Sequence, residues 1–269
     1  MANKTVFLGG GNMAEALLSG MLSAGVVSSD AVVVTDIRAE RLAELHEMYG
    51  VNTSTDNLEA VSGATEIWLC VKPQQMEEVL TPLAGKATSA RWVSIAAGLT
   101  TPTLEGYLGG DVKVVRVMPN TPALVKSGVA GVAPGRLADD ADVQAVKTAL
   151  ECVGKAVVVE ESDLHAVTAL SGSGPAYVFY LIEAMLKAGE DLGMDPVHAR
   201  ELVLQTIMGA GKLMEDTGLD ADELRRRVTS KGGTTAAALT CFDEMGVGAG
   251  ITAGTLAAAK RSKELAGEA

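Results

Sequence analysis

Along the first 160 residues, short and nearly unbroken apolar runs alternate with longer stretches whose apolar positions recur every three or four residues. Thr5-Val6-Phe7-Leu8 is the first run. A glycine turn, Gly9-Gly10-Gly11, separates it from a segment with Met13, Leu17, Leu18, Met21 and Leu22 at helical spacing. Ala31–Asp36, Glu66–Pro73, Arg91–Gly98 and Val112–Pro122 read as further strands, the second of these running into a turn and a helix from Gln74 onward. Val129–Pro134 and Ala156–Val159 add two more candidates. Apolar strands alternating with helices predict a parallel sheet covered on both faces. Trp68 and Trp92 fall mid-strand and are expected in the core.

Near residue 160 the pattern changes. From Leu164 onward helical periodicity takes over, with helices expected from Pro175 to Leu192, from Pro196 to the residue before Gly218, over Asp222–Val228, and twice beyond Gly233. The expected fold is an α/β Rossmann-type N-terminal domain, residues 1–160, with a mostly parallel sheet, followed by an all-α domain, residues 161–269. The helical part is rich in Ala and Gly and makes a modest core alone, so pairing with a second copy is expected.

The chain of 269 residues is 48% hydrophobic and carries a net charge of -12, which argues against nucleic-acid and anionic-membrane partners. Strand residues begin at the fourth position and no 18-residue apolar run occurs, so neither a signal peptide nor a span is expected and a cytoplasmic protein is. Cys70, Cys152 and Cys241 are scattered, which suggests reduced, mostly buried thiols. His46, His165 and His198 have no metal-ligand spacing.

Two passages carry candidate chemistry. Gly9-x-Gly11-x-x-Ala14, between a strand and a helix, matches the dinucleotide fingerprint: Gly9 for the tight turn, Gly11 for approach of a pyrophosphate, Ala14 for close packing of helix on strand. The phosphates would meet free N–H groups and the positive end of the helix dipole. Asp36 ends the second strand, 27 residues after Gly9, where a carboxylate grips the ribose 2′-hydroxyl; Arg38, two residues on, could instead hold a 2′-phosphate or simply be a solvated surface residue, so both cofactor forms stay open. In the helical part, Ser230-Lys231-Gly232-Gly233-Thr234-Thr235 presents backbone amides and two hydroxyls at a helix start, a ready anion site. Its plainer role is a threonine cap. Ser171-Gly172-Ser173-Gly174-Pro175 is expected to serve tight helix–helix packing at its glycines.

These residues, together with Val71-Lys72-Pro73, Ser94-Ile95-Ala96-Ala97-Gly98, Arg116-Val117-Met118-Pro119-Asn120-Thr121-Pro122 and Ser171-Gly172-Ser173-Gly174-Pro175-Ala176-Tyr177, resemble the pyrroline-5-carboxylate reductases over essentially the whole chain. The resemblance implies hydride transfer from NADPH, or NADH, to the C=N bond of 1-pyrroline-5-carboxylate, giving L-proline in the last step of proline biosynthesis. It implies a helical dimerisation domain, rings of dimers such as a decamer, and a site between the domains. Carried over by position, Ser230, Gly232, Gly233, Thr234 and Thr235 hold the substrate carboxylate, Thr235 being the candidate partner of the ring nitrogen, and Glu161 lies near a ligand-contacting position. The cofactor side takes Leu8, Gly9, Gly10, Gly11, Asn12, Met13, Ala14, Thr35, Asp36, Arg38, Asn57, Val71, Lys72, Pro73, Ala96, Ala97 and Gly98. Lys231 stands where many members have proline, and Asp36 where NADPH-preferring members carry a small or uncharged residue.

Two rivals share the N-terminal motif. A β-hydroxyacid dehydrogenase would need Lys187 or Lys212 as its catalytic lysine, and neither sits in a glycine-rich context. A non-catalytic dinucleotide sensor would have no use for the Ser230–Thr235 turn.

Overall fold

A computed structural model of the chain describes residues 3–268. Its first unit runs through Pro175 and takes back the residues from Ala258 onward; its second is Ala176–Ala257. In the first unit the strands are β1 (Thr5–Leu8), β2 (Val32–Thr35), β3 (Asn52–Ser54), β4 (Glu66–Leu69), β5 (Arg91–Ser94), β6 (Lys113–Met118), β7 (Gly128–Pro134) and β8 (Gly154–Val158). The helices between them are α1 (Asn12–Ser23), α2 (Ala39–Tyr49), α3 (Asn57–Val61), α4 (Met76–Leu80), α5 (Thr101–Tyr107) and α6 (Asp140–Glu151), and the short α7 (Leu164–Val167) follows β8.

The strands form one sheet in the order β3-β2-β1-β4-β5-β6-β7-β8. Every neighbouring pair is parallel except β6 and β7. The exception follows from chain length. Only residues 119–127 join β6 to β7, and a parallel crossover needs a dozen or more residues. Leu8 lies opposite both Thr35 and Leu69, so β1, β2 and β4 end in one row.

Alternate strand residues feed opposite faces. Phe7, Trp68, Val93 and Val115 meet Leu17, Leu18 and Met21 of α1 on one side. Val6, Leu8, Ile67 and Trp92 meet Met76, Leu80 and Leu104 on the other. Phe7 and Trp68 stack with ring centroids 6.0 Å apart, and both tryptophans are fully buried as expected from their mid-strand places. The parallel α/β architecture and the change to an all-helical C-terminal part are as the periodicity indicated.

The remaining helices are α8 (Gly174–Asp191), α9 (Pro196–Thr217), α10 (Ala221–Arg227), α11 (Thr234–Glu244) and α12 (Val247–Leu265). Pro196 opens α9 at its first turn with Asp195 capping the amides of Val197 and His198, and Gly218 closes it in a left-handed conformation. No residue of α8, α10 or α11 is buried. Phe179, Leu192, Met208, Phe242, Met245 and Ile251 are half or more exposed. That much apolar surface on one unit marks an interaction face. It also corrects the expectation of buried thiols: Cys70 and Cys152 are only partly covered and Cys241, on α11, is exposed, because α11 has no buried residue in the single chain. No helix among the described residues is long and apolar enough to cross a membrane.

Candidate active site

The β1–α1 turn is built so that each of its three glycines does something different. Gly9 has φ +102°, and a Cβ there would stand 2.9 Å from the carbonyl carbon and oxygen of Cys70 at the end of β4. Its N–H donates to the Thr35 carbonyl at 2.9 Å, tying the turn to β2. Gly10 is held at both ends: its N–H donates to Asp36 Oδ2 at 3.0 Å, and its carbonyl accepts from Arg41 Nε at 2.7 Å. Arg41 is itself paired with Glu15 and Glu44, and Glu15 also accepts from the Tyr49 hydroxyl at 2.8 Å. Gly11 is the N-cap of α1, no side chain caps that helix, and a Cβ at Gly11 would meet nothing within 4 Å. The first-turn amides of α1 therefore open on space that a phosphate group fits and a side chain would fill.

Beside the turn lies a cavity of about 480 Å³. Of the residues expected on the cofactor side, Gly9, Gly11, Thr35, Asp36, Arg38, Asn57, Val71 and Lys72 line it. Thr35 is buried and its hydroxyl donates to Asn57 Oδ1 at 2.6 Å, which fixes the asparagine at the start of α3. Arg38 grips Asp36 side-on, Nε to Oδ1 and Nη2 to Oδ2, both at 2.9 Å. That pairing, with the amides of Arg38 and Gly10 donating as well, holds the Asp36 carboxyl down at about 2. Lys72 and Arg38 bring positive charge to this cavity.

The other expected residues shape the site from behind or beside it. Leu8 and Ala14 are buried under the turn, Asn12 and Met13 are the first residues of α1, and Pro73 opens the turn that follows β4. Ala96, Ala97 and Gly98 follow β5, where Gly98 at φ +76° lies close to Leu265 of α12. Sequence reasoning missed Ile37, Thr55, Cys70, Gln75 and Val79 in the cavity lining, and Arg41 beneath the turn. Thr55 follows β3, three polar residues with no hydrophobic signal, and only the pairing of β3 with β2 brings it there. Although the Cys70 residue is partly exposed, its sulfur is desolvated, which pushes the thiol up.

Glu161 follows β8, and its carboxylate reaches across to the start of α5. One carboxylate oxygen accepts from the Thr101 amide at 2.7 Å and from Arg116 at 3.1 Å, and the other accepts from the Thr101 hydroxyl at 2.6 Å. Arg116 is 4% exposed, so this pair balances a buried charge.

In the helical unit, Gly232 has φ +73°, and the Gly233 N–H donates to the Ser230 carbonyl at 3.0 Å. The Ser230 hydroxyl packs against the Gly233 Cα, so a Cβ there would collide with it. Gly233 is the N-cap of α11 and no side chain caps the helix. The threonine cap weighed from the sequence is not formed, which leaves the first amides of α11 and the hydroxyls of Thr234 and Thr235 available to an anion. The earlier glycine passage does not pack helix on helix as expected: Gly172 lies against Met118 at the end of β6, a Cβ at Gly174 would meet nothing within 4 Å, and the Ser171 carbonyl accepts from Asn120 Nδ2 at 3.2 Å.

Comparison with known proteins agrees with both halves. Residues 4–98 match the family described as NADP oxidoreductase coenzyme F420-dependent, and residues 161–265 the one described as pyrroline-5-carboxylate reductase dimerisation. The chain is 40% identical over 262 residues to the pyrroline-5-carboxylate reductase of Corynebacterium melassecola, covering 96% of this chain and 97% of that one. It superposes on a pyrroline-5-carboxylate reductase from Coxiella burnetii with a TM-score of 0.91 at 33% identity, covering 98% and 99% of the two chains. The Plasmodium falciparum pyrroline carboxylate reductase solved with NADP bound gives a TM-score of 0.89 at 28% identity, covering 98% of each. With that identity carried along nearly its whole length, the chain belongs to the pyrroline-5-carboxylate reductase family.

Proposed function

We propose that this chain reduces the C=N bond of 1-pyrroline-5-carboxylate to give L-proline, with NADPH as cofactor held by the β1–α1 turn and the substrate carboxylate held by the Ser230–Thr235 turn. What carries the reading is that a chain 40% identical to a pyrroline-5-carboxylate reductase keeps two glycine turns at helix N-termini that no side chain caps. When bound, the cofactor supplies the hydride. The protein's residues then have three tasks. The amides after Gly11, with Arg38 and Lys72, bind and orient the dinucleotide phosphates. Thr35, Asn57, Val71, Pro73 and the Ala96–Gly98 loop frame its sugars and ring. The amides after Gly233, with Ser230 and Thr234, hold the substrate carboxylate, and Thr235 offers its hydroxyl to the ring nitrogen.

An imine needs little further help. Protonation of its nitrogen makes C5 electrophilic, hydride adds there, and orientation supplies most of the remaining rate. Glu161 contributes by fixing the start of α5 rather than through a free carboxylate oxygen.

The exposed apolar side chains of α8, α9, α11 and α12 support a homodimer through the helical unit, and larger rings of dimers such as a decamer are its natural extension. Three unpaired cysteines go with a cytoplasmic, reducing setting.

Steady-state oxidation of NADPH with 1-pyrroline-5-carboxylate tests the reading. Thr235→Ala should lower kcat/KM roughly ten- to a thousandfold while dinucleotide affinity holds. Unchanged turnover in the variant removes Thr235 from the mechanism, and dinucleotide binding without any turnover in the parent favours the sensor.

A further inference from the structure

We propose that Asp36 is not a ribose ligand but a positioning residue, a brace that holds the Arg38 guanidinium for a 2′-phosphate and so makes this carboxylate a determinant of NADPH use. The inference rests on the reading of the β1–α1 cavity as a dinucleotide site.

Asp36 has no hydrogen-bond capacity left for a ribose. An ionised carboxylate offers about four acceptor positions on its two oxygens. In Asp36 they are taken: Oδ1 accepts from the Arg38 amide at 3.0 Å and from Arg38 Nε, and Oδ2 accepts from the Gly10 amide at 3.0 Å and from Arg38 Nη2. The side chain is 9% exposed. A ribose 2′-hydroxyl that donated to Asp36 would have to displace one of these donors, either the cationic guanidinium edge or a backbone amide that would be left unpaired, which is unfavourable. The low carboxyl pKa, near 2, agrees with an oxygen pair already saturated by donors.

Arg38 is in the opposite condition. Its side chain is 58% exposed, and only the Nε–Nη2 edge of the guanidinium is spent on Asp36. The remaining edge, with Nη1, keeps hydrogens for a phosphate. Bracing one edge removes rotamer freedom before the ligand arrives, so less is lost on binding. The Gly10 amide anchors the brace to the turn, which gives the residue between the two motif glycines a role: its N–H locates Asp36, while the amides after Gly11 remain for the pyrophosphate.

This reverses the usual meaning of an acidic residue at the end of the second strand, and the two meanings predict opposite results. Dissociation constants for NADPH and NADH would be measured by nucleotide fluorescence on the full-length protein and on Asp36→Asn, Arg38→Met and Arg38→Lys. A brace requires Asp36→Asn to weaken NADPH about tenfold or more with NADH changed by less than about twofold. Arg38→Met should weaken NADPH roughly ten- to a hundredfold, and Arg38→Lys should recover part of that loss. A selective loss of NADH in Asp36→Asn, or tighter NADPH, overturns the proposal. If Asp36→Asn loses both dinucleotides alike, the Arg38 variants decide: an unchanged NADPH-to-NADH ratio in Arg38→Met also overturns it. Failure of the parent protein to bind either dinucleotide would sink the site reading itself rather than the brace.

Discussion

Replacing Gly9 by alanine, and separately Gly11 by alanine, should give two different kinds of damage two residues apart. At Gly9 the backbone has φ +102°, and the new methyl would sit 2.9 Å from backbone atoms of Cys70 that cannot step aside without moving β4. The left-handed conformation costs about 1–2 kcal/mol and the forced contact about 1–3 more. A total near 3 kcal/mol lowers Tm by roughly 6–12 °C in a chain of this size. At Gly11 the backbone is extended, φ -72° and ψ 177°, and the methyl meets nothing within 4 Å. Loss of chain freedom in the unfolded state and the poorer N-cap nearly cancel, leaving a change within about 0.5 kcal/mol. The methyl does occupy the approach to the α1 amides, so dinucleotide affinity should fall about a hundredfold or more. Thermal unfolding by circular dichroism at one fixed protein concentration, paired with dinucleotide titration, reads both effects; the fixed concentration matters because subunit association adds to apparent stability. Equal Tm losses for the two variants would refute the reasoning, as would undiminished affinity in Gly11→Ala.

Glu161→Gln keeps the shape but not the charge opposite buried Arg116, and should cost about 1–3 kcal/mol of stability with KM for the imine unchanged. A raised KM at unchanged Tm would make Glu161 a substrate ligand instead. Acid should erode the fold through depressed carboxylates. Asp139, paired with Lys113, lies at about 2 against an ordinary 3.8, so its contribution is complete above pH 4 and lost as pH falls toward 2. Asp139→Asn keeps an acceptable cap on α6, so the Tm gap between parent and variant should close between pH 4 and 2; a gap constant over that interval would rule out the ionic origin.

Much of the fold is legible because the forces behind it are local or periodic. Continuous apolar runs mark β1, β2, β4, β5 and β6, and the 3.6-residue period with Pro196 and Gly218 as punctuation marks α9 within a residue of its ends. The two glycine turns are equally readable, since only a tight turn before a helix needs glycine at those places. β3 escaped notice because Asn52-Thr53-Ser54 has no apolar residue; it is a strand only because β2 offers it an edge.

What the chain's order of residues determined by itself was therefore the elements, the two turns and the chemistry they offer. Tertiary structure alone decided how charges pair across the sequence. It set Asp36 against the Gly10 amide, Arg41 beneath the turn, and Glu161 against Arg116 and Thr101. It also left the apolar faces of α8 and α11 uncovered in one chain. The physical reason is range. Periodicity and turn geometry act over a few neighbouring residues, whereas a carboxylate's partners are whichever donors the finished sheet brings within 3 Å or so.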